Sequence, residues 1–400
     1  MTSSATRLAI EGGAPVRTAV LPYARQVLDD DDIARVVAVL KSDWLTTGPA
    51  VEEFEQAFAV TVGARHAVAI ANGTAALHAA AAAAGLGPNH EVIVPAMTFA
   101  ASANCARYVG ANVRFADVRT DTLCLDVGAT ERGLTARTRA IVAVDFAGQP
   151  CDWDDLRNLA NRRGLVLIAD AAHALGATYH GKPVGTLASL TTFSFHPVKH
   201  VTTAEGGIVT TEDDALAERL RRFRNHGIAR DHRRREREAS WLYDIDVLGY
   251  NYRLSDLQCA LGTSQLRKLA GWLSRREAIA HRYAALLLDE EALELPTVAP
   301  DRRHAWHLFV VRLRGERLTV DRMQVFKALR AENIGVNVHY IPVHLHPYYR
   351  ENFGYKGGEF PVAESAYERL ISLPMFHAMS GQDVKDVTSA VTKVVSSYSR

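Results

Sequence analysis

Asp170 closes the apolar run LVLIAD at 165–170 and is followed by AAHALG. An aspartate at the carboxyl end of a parallel strand stands where α/β proteins bind ligands. A helix N-cap is the plain alternative. Lys199 lies within FSFHPVKHVTTAEGG at 193–207. A lysine in a loop is usually solvated, but Phe193, Phe195 and Val198 suggest surroundings with little water. Such surroundings depress an ammonium pKa and leave a nucleophilic amine. Gly206 and Gly207 permit tight backbone turning beside a ligand. The third feature is Asn72-Gly73-Thr74-Ala75, a turn that runs into a helix. Its hydroxyl and first amides could hold a phosphate, although many turns look alike. It lacks the GK[ST] of a Walker A loop and the spacing of GxGxxG. A nucleophilic lysine, an acid for a pyridinium nitrogen and a phosphate cup are together what pyridoxal phosphate requires.

These residues need a frame. Short apolar segments at 66–70, 91–94, 113–116, 140–144, 165–169, 190–195 and 208–210 read as strands. Helical spacing marks 75–84, 98–108, 153–163 and 214–225 between or after them. Strands alternating with helices predict a mostly parallel α/β sheet covered on both faces. Two further helices, at 29–40 and 51–58, precede the sheet. Beyond residue 256 the pattern changes. Long helical segments at 257–286 carry a predicted break near Gly271. Strands are expected at 305–313 and 336–340, then a Pro- and His-rich loop. Helices are expected at 321–332, 364–370 and 382–397. The expected division is a large domain at 1–255 and a smaller α+β domain at 256–400.

Composition narrows the classes. The chain has 400 residues, 46 Lys plus Arg against 45 Asp plus Glu, and a formal charge of +1. No whole-protein field gathers nucleic acid or an acidic membrane. The segment RDHRRRERE at 230–238 mixes acids with its arginines and reads as a solvated loop. The 4 cysteines form no CxxC pair, which argues against a disulfide scaffold or a thiolate metal cluster. His339, His344 and His346 are the only tempting metal group, and a solvated loop is the preferred reading, so no metal is expected. No segment reaches 18 consecutive apolar residues and the start has no signal pattern. A soluble cytoplasmic protein is the expectation.

The chain resembles the sugar aminotransferases of the DegT/DnrJ/EryC1/StrS family from residue 21 onward. The resemblance is carried by SDWLTTGP (42–49), NGTAAL (72–77), PAMTFAASAN (95–104), FAGQPCD (146–152), DAAHALGA (170–177), FSFHPVKHVTTAEGG (193–207), GYNYRLSDLQCALG (249–262) and GVNVHYIPVHLHPYYR (335–350). It implies the pyridoxal phosphate-dependent transferase fold of type I, like aspartate aminotransferase. It also implies roles. Lys199 would carry the cofactor and shuttle the proton, and Asp170 would face the pyridine nitrogen. His173 would lie near the ring and its phenolic oxygen, and Phe99 would stack on the ring. Thr74, Ala75 and Ser194 would form the phosphate cup. Asn251 would reach the phosphate from the other subunit of a homodimer with composite active sites. Core packing of Phe99, a satisfied helix histidine at 173 and local backbone binding by Ser194 are the plain alternatives.

Within that family the segments look most like the aminotransferase of pseudaminic acid biosynthesis. The implied acceptor is UDP-2-acetamido-2,6-dideoxy-β-L-arabino-hex-4-ulose, a UDP-linked 4-keto-6-deoxy sugar, aminated at C4. The implied donor is L-glutamate, released as 2-oxoglutarate. The implied product is UDP-4-amino-4,6-dideoxy-N-acetyl-β-L-altrosamine. Val338, His339 and Tyr340 are candidates for the sugar pocket. The alternative is another nucleotide-linked keto-sugar, of the viosamine, perosamine or bacillosamine type. A non-catalytic regulator on the same fold is the remote alternative.

Overall fold

The computed structural model describes residues 7–228 and 239–400. The segment read as a solvated loop at 230–238 lies outside them. The central sheet holds β1 (His66–Ile70), β2 (Glu91–Pro95), β3 (Asn112–Ala116), β4 (Thr138–Val144), β5 (Val166–Asp170), β8 (Leu190–Ser194) and β9 (Gly207–Thr211). Between β5 and β8, the short strands β6 (Thr178–Tyr179) and β7 (Lys182–Pro183) form a hairpin. The order across the main sheet is β1-β9-β8-β5-β4-β2-β3. The pairs β3–β2, β2–β4, β4–β5 and β5–β8 are parallel. Strand β9 runs antiparallel to both neighbours, β8 and β1. The expected mostly parallel α/β sheet is what forms. Its central strands β2, β4 and β5 are largely apolar runs, as expected where helices cover both faces. In β2 every residue is buried.

The antiparallel strand has a consequence for the site. Its first residue, Gly207, pairs with Ile70 at the end of β1 and with Ser194 at the end of β8. Three chain segments thus converge at one end of the sheet. The helix Gly73–Ala83 starts there and packs on β8 and β9. It is alanine-rich, so it combines high helix propensity with a slim profile that lets it lie close to the sheet.

The C-terminal region builds a second sheet, order β10-β12-β13, from Leu293–Glu294, Phe309–Leu313 and Leu370–Leu373. The helices Leu269–Leu286, Arg322–Ala331 and Gly381–Ser397 contribute buried side chains to the apolar cluster around it. Strand β11 (Arg302–Arg303) instead pairs with β6, tying this region to the loop after Asp170. No helix among the described residues is long and apolar enough to cross a membrane.

Several expected elements differ. The helix break falls at Arg267–Lys268, not near Gly271, which sits inside Leu269–Leu286. An exposed helical glycine costs only about 1 kcal/mol, and the neighbouring Leu273 is buried in the core and offsets it. Residues 336–340 form no strand. Only Asn337 pairs, with Ser372, while Val338, His339 and Tyr340 line a cavity. The Pro- and His-rich loop contains a short helix, Pro347–Phe353, with its proline where a helix start tolerates one. Residues 127–133, outside the predicted elements, are helical, and Leu370, expected at the end of a helix, begins β13. The strand expected at 305–313 starts only at Phe309.

Asp256 joins two elements of this frame. Its buried carboxylate accepts from the amides of Gly48 (2.7 Å) and Ala50 (3.0 Å), where the helix Pro49–Val62 begins. Asp256→Ala strands these amides and is expected to cost about 2 kcal/mol. Denaturant melts check this. A loss below about 0.5 kcal/mol, the usual range for neutral surface changes, contradicts the assignment.

Candidate active site

Asp170 ends β5, hydrogen-bonded between β4 and β8. No helix starts behind it, so the N-cap alternative does not hold. Its carboxylate is buried. Ser102 Oγ donates to Oδ2 at 2.5 Å, and the Ala172 amide to Oδ1 at 3.2 Å. Thr98 Oγ1 lies 2.7 Å from Ser102 Oγ and extends the chain of hydroxyls. Burial raises the Asp170 pKa, and the two donors and the nearby Lys199 charge oppose that rise. Lys199 follows β8 in a turn fixed by its own amide bond to His196 O at 2.9 Å. Burial pushes the ammonium down to about 8, against the pull of Asp170. Of the water-poor surroundings expected from Phe193, Phe195 and Val198, the two phenylalanines are present, while Val198 and Lys199 are half-buried at the cavity wall. Both rings are buried, and both pack edge-on against Phe58.

Both groups line one cavity of about 930 Å³, and Thr74, Ala75, Phe99, His173 and Ser194 line it too. His173 is buried, and its Nε2 lies 3.1 Å from the Tyr340 hydroxyl. Burial first, then the charge of Lys199, hold its pKa well below the usual histidine range, so the ring is neutral. Its Nδ1 is buried without a partner among the described residues. Phe99 is 57% exposed, which excludes the core-packing alternative. Its ring sits 5.9 Å from that of Tyr340.

The cup at the start of Gly73–Ala83 is tight. Asn72 caps the helix by accepting from the Ala75 amide at 2.8 Å. A Cβ on Gly73 would stand 2.9 Å from Ser194 Cβ, and one on Gly207 would stand 2.5 Å from Asn72 O. Both glycines are therefore needed for the three segments to meet. With Ala75 N–H used by Asn72, a phosphate would take the Thr74 and Ser194 hydroxyls and the first amides of the helix. An amine, a buried acid, an unpartnered imidazole nitrogen and this cup facing one cavity fit pyridoxal phosphate.

Asn251 is different. It is exposed and does not line this chain's cavity, whereas its neighbours Tyr250 and Tyr252 do. Several residues of the site, in or behind the cavity wall, carried no expectation from sequence. Ser102 lay within PAMTFAASAN, and its helical spacing four residues after Thr98 was the available signal. Tyr250 and Tyr252 flank Asn251 in GYNYR. His307 sits in an irregular loop with no local signal at all.

Two outcomes follow from this geometry. Gly207→Ala should weaken pyridoxal phosphate binding by roughly 10-fold or more, read by titration of the cofactor-free chain. Unchanged affinity contradicts the cup. Attachment of pyridoxal phosphate to that chain should speed up as pH rises and level off above about 8, as Lys199 loses its proton. A midpoint near 10.5 contradicts the lowered amine pKa.

Known proteins resemble this chain over most of its length. Residues 26–392 match the model of the DegT/DnrJ/EryC1/StrS aminotransferase family. The chain is 42% identical over 381 residues to the spore coat polysaccharide biosynthesis protein SpsC of Bacillus subtilis, covering 95% of this chain and 98% of that one. Among solved structures it superposes on the PMP-form of Spr1654 from Streptococcus pneumoniae with a TM-score of 0.89, at 30% identity and 94% and 99% coverage. It superposes on Helicobacter pylori PseC, an aminotransferase involved in the biosynthesis of pseudoaminic acid, with a TM-score of 0.88, at 30% identity and 95% and 100% coverage. The fold is the type I fold of pyridoxal phosphate aminotransferases. The chain therefore belongs to the DegT/DnrJ/EryC1/StrS aminotransferase family and is a pyridoxal phosphate-dependent aminotransferase.

Proposed function

We propose that this enzyme moves an amino group from L-glutamate to the C4 keto group of a nucleotide-linked 4-keto-6-deoxy sugar. The observation that carries the reading is that Lys199 and Asp170 line one large cavity, part of whose wall is polar. That part comes from Asn337, His339 and Tyr340. A cavity of about 930 Å³ has room for a cofactor and for a sugar beside it. When bound, pyridoxal phosphate supplies an electron sink for the carbon that loses a proton. Asp170 would hold the proton on the ring nitrogen. The Lys199 Nζ would take the proton from the glutamate α-carbon. In the second half of the cycle it delivers a proton to C4 of the sugar. Its lowered pKa suits both directions at neutral pH. His173, neutral and anchored to Tyr340, would donate or accept a hydrogen bond without adding charge.

Among acceptors, UDP-2-acetamido-2,6-dideoxy-β-L-arabino-hex-4-ulose is the first candidate, supported by the likeness to PseC. Spr1654 is equally alike at 30% identity, and SpsC is more so over the chain as a whole. These likenesses favour the wider class of nucleotide-linked keto-sugars over any single sugar. The site would be completed by a second copy of the chain. Asn251 is exposed beside a run of bared apolar side chains, including Trp241 at 82% and Leu248 at 81%. A homodimer that covers this run would bring Asn251 to the partner's phosphate cup.

The visible absorbance of the bound cofactor should fade on adding L-glutamate and return on adding the UDP-4-keto sugar. No fading contradicts the donor. Fading without return contradicts that sugar and leaves the aminotransferase. Mixing Lys199→Ala with Asn251→Ala chains should restore turnover, because one site of each mixed dimer keeps both residues. No restoration contradicts the composite site.

A further inference from the structure

His307 faces the cavity and has no role in the chemistry above. It is buried, in the loop before β12. Its ring centroid lies 4.4 Å from that of His173, with the planes 33° apart. His173 has a second ring neighbour in Tyr340, near-parallel at 18° and 6.1 Å. The Tyr340 hydroxyl fixes Nε2 of His173. Nδ1 has no partner among the described residues. The close, tilted packing of His307 against the ring is then what restrains it beyond the Tyr340 anchor.

The loop carrying His307 is clamped from two directions. The Ala305 amide donates to Gly148 O at 2.9 Å, and the Leu308 amide to Ala147 O at 3.1 Å. Gly148 has φ +109°, and a Cβ on it would stand 2.8 Å from His173 O and 3.1 Å from His307 N. A side chain there would force the two histidine backbones apart. From behind, Arg276 of the helix Leu269–Leu286 is fully buried. Its Nη1 donates to the carbonyls of Trp306 (3.0 Å), His307 (3.4 Å) and Met375 (3.1 Å). Burial lowers this guanidinium to about 10. A buried cation is costly to install, so its hydrogen bonds to consecutive loop carbonyls argue for a placed loop and not a loosely filled one.

We propose that His307 is a positioning residue for His173, and that Arg276 and Gly148 hold His307 in place. The inference rests on reading the cavity as the cofactor site, with His173 beside the cofactor. Without the packed imidazole of His307, the His173 ring can tilt about its Tyr340 anchor. The hydrogen bond it offers then loses its direction. Other titratable groups near His173 are Lys199, His200, His304 and His339, and none of them stacks on it at this distance.

The test uses the full chain with His307→Phe, His307→Leu and Arg276→Lys. Pyridoxal phosphate is titrated into each cofactor-free chain, and the visible circular dichroism of the bound cofactor is recorded. Phe keeps a flat ring and should bind within about 2-fold of wild type with an unchanged dichroism band, since ring stacking is what it preserves. Leu should loosen binding about 5-fold, the scale of one aromatic pair, and alter the band. Arg276→Lys keeps the charge but loses the planar fork, and should move both readouts in the direction of Leu. Wild-type affinity and band in His307→Leu overturn the proposal. So does lost affinity with an unchanged band, because packing alone then explains it. If His307→Leu does not fold, Arg276→Lys decides on the same two readouts, and wild-type behaviour there overturns it. If the wild-type chain itself binds no pyridoxal phosphate, the cofactor reading and this inference fall together. If wild type binds and the variants match it, only the inference falls.

Discussion

The charges on Asp170 and Lys199 both resist burial, and each is eased by the other. Asp170 is buried at the end of β5, and Lys199 turns back toward it from the loop after β8. Attraction between them raises the lysine pKa and lowers that of the acid, while desolvation works the other way on both. The balance leaves an amine lowered to about 8 in the same cavity as a carboxylate backed by Ser102. Neither group holds this state alone. The parallel pairing of β5 and β8 puts Asp170 and the loop that carries Lys199 at the same end of the sheet, where both line one cavity.

Much of this was legible in the sequence because it is local. Asp170 ends an apolar run, Lys199 lies among aromatic residues, and Asn72 to Ala75 form a turn before a helix. Each is a short-range signal, and the fold class followed from the alternation of strands and helices. What was not legible depends on distant segments meeting. Ser102 reaches Asp170 across 68 residues, and Tyr340 reaches His173 across 167. The antiparallel strand β9, which seats Gly207 between Ile70 and Ser194, has no pattern of its own that announces its direction. Residues 336–340 look like a strand by composition, yet four of them, Asn337 to Tyr340, line the cavity and only Asn337 keeps a sheet-like pairing. Asn251 is a separate case, since its expected role needs a second chain.

The C-terminal region contributes more than a lid of core packing. It supplies Tyr340 and His307 to the wall around His173, and it is tied to the loop after Asp170 by the pairing of β11 with β6 and to the segment after β4 by the bonds of Ala305 and Leu308 to Gly148 and Ala147. Changes in the buried packing around Arg276 should therefore be felt at the cofactor site through His307, and not only in overall stability. The polar wall and the reactive pair come from different parts of the chain. That separation lets the acceptor pocket vary while the amine and acid stay fixed.

The most direct test of the central claim is to find where the cofactor is attached. The chain is loaded with pyridoxal phosphate, reduced with borohydride, digested and mapped by mass spectrometry. The account predicts a single modified peptide carrying the adduct on Lys199. An adduct on another lysine, or no adduct on a chain that binds the cofactor, would contradict it.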